Sequence, residues 1–139
     1  MKIENFKIRL KTKGFCDIHD LTGEAQEKIS ASGIREGQAT FFVAGSTTGL
    51  TTVEYEPGLV KDLKELFERI APQGKYYHHE EAWHDGNGFS HVRASLLKPS
   101  LTVPIVDCKL TLGTWQQVVL IDFDNRPRSR EIILQVMGE

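Results

Sequence analysis

Near its start the chain alternates strictly: Phe6, Ile8 and Leu10 fall on one side of an extended backbone while Lys7, Arg9 and Lys11 fall on the other. That two-residue period predicts a strand with one face buried and one in water. The period then lengthens. "HDLTGEAQEKISASG" reads as a short helix with Asp20 or Thr22 as its N-cap and Gly33 as its stop. Its apolar stripe of Leu21, Ala25 and Ile29 is narrow, so the helix should cover a sheet face rather than form a core of its own. "QATFFVAG" and "LTTVEYE" are β-rich runs, and the Gly/Ser/Thr segment "GSTTG" between them reads as a tight strand-to-strand connection. A second helix has Pro57 in its first turn. Leu59, Val60, Leu63, Leu66, Phe67 and Ile70 recur at helical spacing opposite Lys61, Asp62, Lys64, Glu65 and Glu68, and Pro72 and Gly74 end it.

From Gln73 to Phe89 no period is sustained. Loops of this length are usually functional or disordered, and two Tyr and a Trp argue against disorder here. "SHVRASLL" reads as a short helix capped by Ser90 and closed by Pro99, with a strand as the alternative. Three strand-like runs follow: "SLTVPIVD", "WQQVVLIDF" and "REIILQVM". The last two are apolar on both faces, so Val118, Leu120, Ile132 and Val136 need cover from the helices or from another subunit. Pro104 places its strand at an edge or a bulge.

The 139 residues, 40% hydrophobic and 26% charged, suffice for one domain with a real core. A formal net charge of −2 argues against a nucleic-acid partner held through its phosphates. Arg126, Arg128 and Arg130 make one local basic cluster that could meet a phosphate, although a solvated strand edge is the plainer reading. Cys16 and Cys108 lie far apart without CxxC spacing, which signals neither a zinc ribbon nor a redox motif. The charged opening "MKIENFKIRL" has no apolar leader core, and no run approaches the roughly 20 residues of a membrane span. The expected location is the cytoplasm, with no membrane partner.

Candidate chemistry concentrates in "YYHHEEAWHDGNGFSH", residues 76–91, which holds four of the five histidines. Neutral imidazole is the commonest protein ligand for zinc, and a catalytic zinc site combines three protein ligands with an open water position. His78, His84 and His91 are spaced for a loop that wraps an ion, although no HExxH or i, i+4 pair is present. "DGNG" is a turn; it presents Asp85 as a base or orienter and Asn87 as an amide donor toward the centre occupied by His91. In a helical "SHVRASLL", Ser95 lies one turn beyond His91, and the free N–H groups at the helix start suit a phosphate. The bland alternative is a rigid Ω-type loop with His79 and Glu80 in solvent.

Farther along, "SLLKPSLTVPIVDCKLTLGTWQQVVLIDFD" resembles the signature of the YjbQ-like family in Ser95, Leu96 and Leu97, in Ser100, Leu101 and Pro104, and in the closing Gly113, Thr114, Trp115 and Gln116. The likeness extends back through "DGNGFSHVRASLL", the Tyr-Tyr-His before it, Glu54 and Asp62, so it covers about Leu21 to Glu139. It implies an α+β fold: a single domain over residues 1–139, a mixed β-sheet covered by two or three helices, and assembly as a homotrimer. Family members are described as secondary thiamine-phosphate synthases, which join a pyrimidine methyl diphosphate to a thiazole phosphate. By position, His78 and His91 match family histidines, Asp85 an acidic position, and Thr48, Glu54, Thr114 and Gln116 polar positions near them. Ser46 stands where many members carry a histidine, and His84 is the candidate replacement. Lys98 and Cys108 stand where Gly is common, which should affect turns more than chemistry.

The expectation is therefore a small-molecule enzyme. His78, His84 and His91 would hold a divalent metal, zinc, with magnesium the alternative for a diphosphate substrate. His91, Asp85, Asn87 and Glu54 would form the catalytic group, and Thr48, Arg93, Ser95, Thr114 and Gln116 would bind a small phosphorylated substrate. In diphosphate displacement the protein's main tasks are positioning and charge neutralisation. The chain has no P-loop and no Asp-rich diphosphate motif, so the synthase activity is implied by the resemblance alone. Two other readings use the same residues: a non-catalytic trimeric module with a closed metal site, and a metal-assisted hydrolase with water as nucleophile.

Overall fold

The computed structural model describes all residues from Met1 to Glu139. In chain order the elements are β1 (Lys2–Thr12), β2 (Asp17–Asp20), α1 (Thr22–Ser32), β3 (Gly37–Val43), β4 (Thr48–Val53), α2 (Pro57–Ile70), α3 (Glu80–Trp83), α4 (Gly88–Leu96), β5 (Ser100–Val106), β6 (Lys109–Leu110), β7 (Gln117–Asp122) and β8 (Arg128–Gly138). The α+β class holds. The single mixed sheet is corrected to two sheets, β1-β8-β3-β5-β6 and β2-β7-β4, in which every ladder is antiparallel.

The two-faced strand β7 explains the layering. Val118 and Leu120 point into the main core, where they meet Ile8, Phe41, Ile132 and Leu134 of the large sheet and Ala25 and Ile29 of α1. Val119, Ile121 and the following Phe123 point the other way, into a second core closed by Phe67 of α2 and Ala94 of α4. Each of these β7 side chains is fully buried, which stabilises the fold by about 1.5–3 kcal/mol apiece. A single chain thus covers Val118, Leu120, Ile132 and Val136, and the reason for requiring a second subunit to cover them falls away. β8 is one-sided, because Ile133 between its buried neighbours stays 38% exposed.

Local rules account for most boundaries. α1 carries its narrow stripe inward and stops at Gly33, whose φ of 73° is left-handed. Asp20 accepts the Thr22 N–H at 2.9 Å, but neither proposed cap holds the N-cap position, which falls on Leu21. Thr22 instead accepts the Val118 N–H and ties the helix to β7. α2 has Pro57 in its first turn and the Glu56 carboxylate capping the N–H groups of Gly58 and Leu59. "GSTTG" does not join partners in one ladder: β3 lies in the large sheet and β4 in the small one, so this connection crosses between layers. α4 starts at Gly88, two residues before Ser90, and is helix rather than strand. Pro104 sits near the edge, since only the two residues of β6 flank β5 on its outer side. The turn between them places Asp107 and Cys108 at φ 50° and 64°. Cys108 thus occupies a left-handed turn position that suits glycine, whereas Lys98 has no positive φ and lines a cavity with His91.

Candidate functional site

Three connections meet at one end of the small sheet: residues 44–47 before β4, residues 71–87 before α4, and residues 123–127 after β7. The first is held by a buried charge network. Asp122 and Asp124 are 0% and 1% exposed. Arg130 bonds Asp122 through Nε at 2.6 Å and the Thr47 hydroxyl through Nη2 at 2.7 Å, while Arg128 Nε bonds Asp124 at 2.8 Å. Thr47 in turn donates to Asp124 at 3.0 Å, and its carbonyl accepts the Phe123 N–H. These charges join the end of β7 to the start of β8 and fix the loop that carries Ser46. Burial alone would raise the Asp124 carboxyl, but hydrogen bonds from Thr47, Arg128 and the Asn125 N–H together outweigh it and hold Asp124 below the usual carboxylate value.

The histidine loop is ordered by its own contacts. Tyr77 donates its hydroxyl to the Pro72 carbonyl at 2.7 Å and lies against Gly88, where an added Cβ would come within 2.5 Å of the Tyr77 Cβ. Gly88 therefore has to be glycine for α4 to start this close to the loop. α3 is one short turn ended by His84 in a left-handed conformation, φ 53°, and Glu80 accepts the Gly86 N–H at 2.9 Å. Asn125 Nδ2 reaches the Asp85 carbonyl at 2.8 Å, tying this loop to the β7–β8 connection.

The imidazole brought to His91 is that of His79. Their ring centroids are 4.3 Å apart at an interplanar angle of 33°. His79 Nδ1 is buried without a hydrogen-bond partner and lies 3.6 Å from Asp85 Oδ1. This overturns the picture of His79 and Glu80 in solvent. The structure also does not gather the expected ligands His78, His84 and His91: the His78 side chain is 90% exposed beside Glu81, and His84 is exposed at the end of α3. In a tight turn adjacent side chains leave the backbone in different directions, so the inward position fell to His79. His91 is pushed below the ordinary histidine value by burial first and by neighbouring His79 second, against the opposing influence of Asp85, Asp124 and the Ser46 backbone. It is therefore mostly neutral at pH 7.

One imidazole and two carboxylates converge: His79, Glu80 and Asp85 each offer a ligand atom within 4.8 Å of the others. Nitrogen with oxygen donors suits a divalent cation, and three protein ligands are the usual number in a catalytic zinc site. The partnerless Nδ1 of His79 is the observation that makes the fit more than an acidic cluster.

Other expected residues divide into two groups. Thr48 and Ser95 line a cavity of about 480 Å³ with His91, Ser46 and Lys98. Thr48 donates to the Ile121 carbonyl and Ser95 to the Val92 carbonyl, so both hydroxyls already have a partner. Gly49 lets β4 approach the segment after α4, since a Cβ there would meet Leu97 at 2.7 Å. Beyond Lys98 a second cavity of about 390 Å³ runs between β4 and β5 to Gln116. Gln116 bonds Thr52 and the Gly113 N–H, closing the turn that holds exposed Thr114. Glu54 follows the same far end of β4, roughly 20 Å along the strand from Thr48, and is exposed. These three are not placed at the imidazole pair.

Arg93 requires a different correction. It is 2% exposed, donates from Nε to the Ala71 carbonyl at 2.9 Å and from Nη2 to Glu68 at 2.7 Å, and lies 4.9 Å over the Phe89 ring. Its guanidinium bolts α4 to the end of α2 and is not free to bind a phosphate. Asn87 is only 6% exposed and lines a cavity with Asp85 rather than the one that His91 lines, and its Oδ1 has no partner. The residues not foreseen are His79, Glu80, Thr47, Asp122 and Asp124. A signal existed for the last two: carboxylates two apart at the end of an otherwise apolar strand, followed by guanidiniums two apart in "RSR".

A model of the family described as UPF0047 protein YjbQ-like matches residues 6–139. The chain belongs to the YjbQ-like family. A UPF0047 protein of Archaeoglobus fulgidus is 34% identical over 131 residues, covering 94% of this chain and 99% of that protein. One from Methanothermobacter thermautotrophicus is 32% identical over 139 residues, covering 100% and 95%. Among solved structures, a protein of unknown function from Sulfolobus solfataricus superposes with a TM-score of 0.93 at 28% identity, covering 99% of both chains. A hypothetical protein from Aeropyrum pernix gives 0.88, also at 28% identity, covering 98% of this chain and 99% of that one. Within this YjbQ-like chain no helix is long and apolar enough to cross a membrane.

Proposed function

We propose that the chain is a cytoplasmic small-molecule transferase of the secondary thiamine-phosphate synthase type, joining a pyrimidine methyl diphosphate to a thiazole phosphate. The observation that carries an enzyme reading is the partly buried pair of His79 and His91, with an unsatisfied imidazole nitrogen and a neutral partner beside a cavity. The choice of substrates rests on the family resemblance. In this reaction the thiazole nitrogen forms a bond to the methylene carbon while the carbon–oxygen bond to diphosphate breaks, and the electron pair leaves with the diphosphate. No proton has to be removed from the nucleophile. The protein's work is to align two molecules and neutralise a leaving group.

His91, uncharged, offers one N–H to a substrate oxygen in the cavity it lines with Ser46 and Lys98, while Asp85, whose charge acts on His91, and Asn87 line a second cavity. A divalent metal, zinc or magnesium, would be held by His79, Glu80 and Asp85 and would supply positive charge toward the diphosphate. The same three residues favour a second reading, hydrolysis of a phosphorylated small molecule. The reading includes a homotrimer: Trp83, Leu96 and Trp115 are 72%, 56% and 73% exposed, apolar surface that an assembly would cover.

Tag-free protein incubated with both substrates should form thiamine phosphate only when both are present. His91→Ala and His79→Ala should each lower that rate by about a hundredfold with melting temperature near wild type, whereas His78→Ala and His84→Ala should leave it unchanged. Release of phosphate from the pyrimidine diphosphate without the thiazole would favour the hydrolase. Turnover of neither would remove the enzyme reading, and a single mass by light scattering equal to one chain would remove the trimer.

A further inference from the structure

Arg126 lies in the β7–β8 connection and Arg128 opens β8, where its Nε supports the buried Asp124. Asn125, Arg126 and Arg128 enclose, with Asp85 and Asn87, a cavity of about 310 Å³. We propose that this cavity is an anion-binding subsite that receives a phosphate or diphosphate group. Arg128 is held in place from behind: its Nε bonds Asp124 at 2.8 Å, and Asp124 is itself buried and bonded by Thr47. That leaves the terminal N–H groups of a fixed, planar guanidinium toward the cavity, the geometry that binds phosphate oxygens in pairs. Arg126 is exposed and forms no hydrogen bond or ion pair within the chain. The one acid in the lining, Asp85, has its carboxylate 3.6 Å from His79.

Asn87 is more than nine-tenths buried and forms part of the wall of this cavity. α4 begins directly after Asn87, and the positive end of the helix adds to the field of the two arginines. The phosphate-bearing class of substrate thus has a place next to the imidazole pair, linked to it through Asp85 and Asn87.

That the anion belongs to a substrate rests on the transferase reading; that the cavity binds an anion does not. The test is calorimetric titration of chelator-treated protein with pyrophosphate and, separately, inorganic phosphate, which removes any contribution from a bound cation. Saturable binding that falls with added salt is expected, weakened between about tenfold and a hundredfold by Arg126→Ala, less by Arg126→Lys, and unchanged by Arg35→Ala on the opposite charged turn. Arg128→Lys, which keeps the charge but loses the fork, should weaken it as well. No saturable binding by wild type overturns the inference, as does binding that survives both Arg126→Ala and Arg128→Lys undiminished. Arg126-dependent pyrophosphate binding without any turnover would sink the transferase reading and leave the subsite standing.

Discussion

Truncating Arg93 separates a structural guanidinium from a substrate-binding one. In Arg93→Ala the Ala71 carbonyl loses a charged donor at the buried end of α2, and a hydrogen bond of this kind contributes about 1.5–3 kcal/mol. The Glu68 carboxylate is 52% exposed and can return to water, so that pair adds at most about 1 kcal/mol. Loss of the guanidinium from the face of Phe89, and of the buried stem beneath it, costs about 1–2 kcal/mol more. The sum, about 2.5–6 kcal/mol, is a large fraction of the roughly 5–15 kcal/mol that holds a domain of this size together. Urea unfolding followed by circular dichroism should therefore show a midpoint far below wild type with an unchanged slope. Arg93→Lys should recover only part of the loss, because a single ammonium cannot bond the Ala71 carbonyl and Glu68 in the same fork. If Arg93→Ala unfolds within about 0.5 kcal/mol of wild type yet loses phosphate or pyrophosphate binding, the structural assignment is wrong and Arg93 is a ligand residue after all.

Two further outcomes follow from the backbone and the buried carboxylates. Cys108→Gly should raise stability by about 1 kcal/mol in urea unfolding, since it removes a side chain from a left-handed turn position; an equal or lower midpoint would show that the turn is not strained. Asp124 has a folded-state pKa below its unfolded value of about 3.9, so the stability it contributes is present above that pH and is lost as pH falls toward the folded value. Thr47→Val removes one of the bonds that depress it. The stability gap between Thr47→Val and wild type should be widest above about pH 4 and narrow on acidification; a gap constant down to pH 2 would count against the Asp124 linkage.

How much was legible depended on the range of the interaction. β1, α1, α2 and the runs of β7 and β8 each carry their own period, because burial of a repeating face has to be written into neighbouring residues. The same holds for Pro104 beside the short edge strand. β2 was not visible. "DIHD" has one apolar residue in four, and its strand exists only because β7 offers the free edge on which it pairs.

The sequence by itself determined that four of the five histidines fall between Tyr76 and His91 and that the two-faced strand β7 needed cover on both sides. Only the tertiary structure decided which imidazole faces His91, because a one-residue choice between His78 and His79 is made by how α3 turns and by Gly88 closing against Tyr77. Likewise Arg93 and Arg128 look alike in the chain, yet one is enclosed between two helices while the other is fixed at the mouth of a cavity. Local spacing sets the direction of a side chain relative to its own helix or strand, whereas its function depends on the distant groups that folding brings against it.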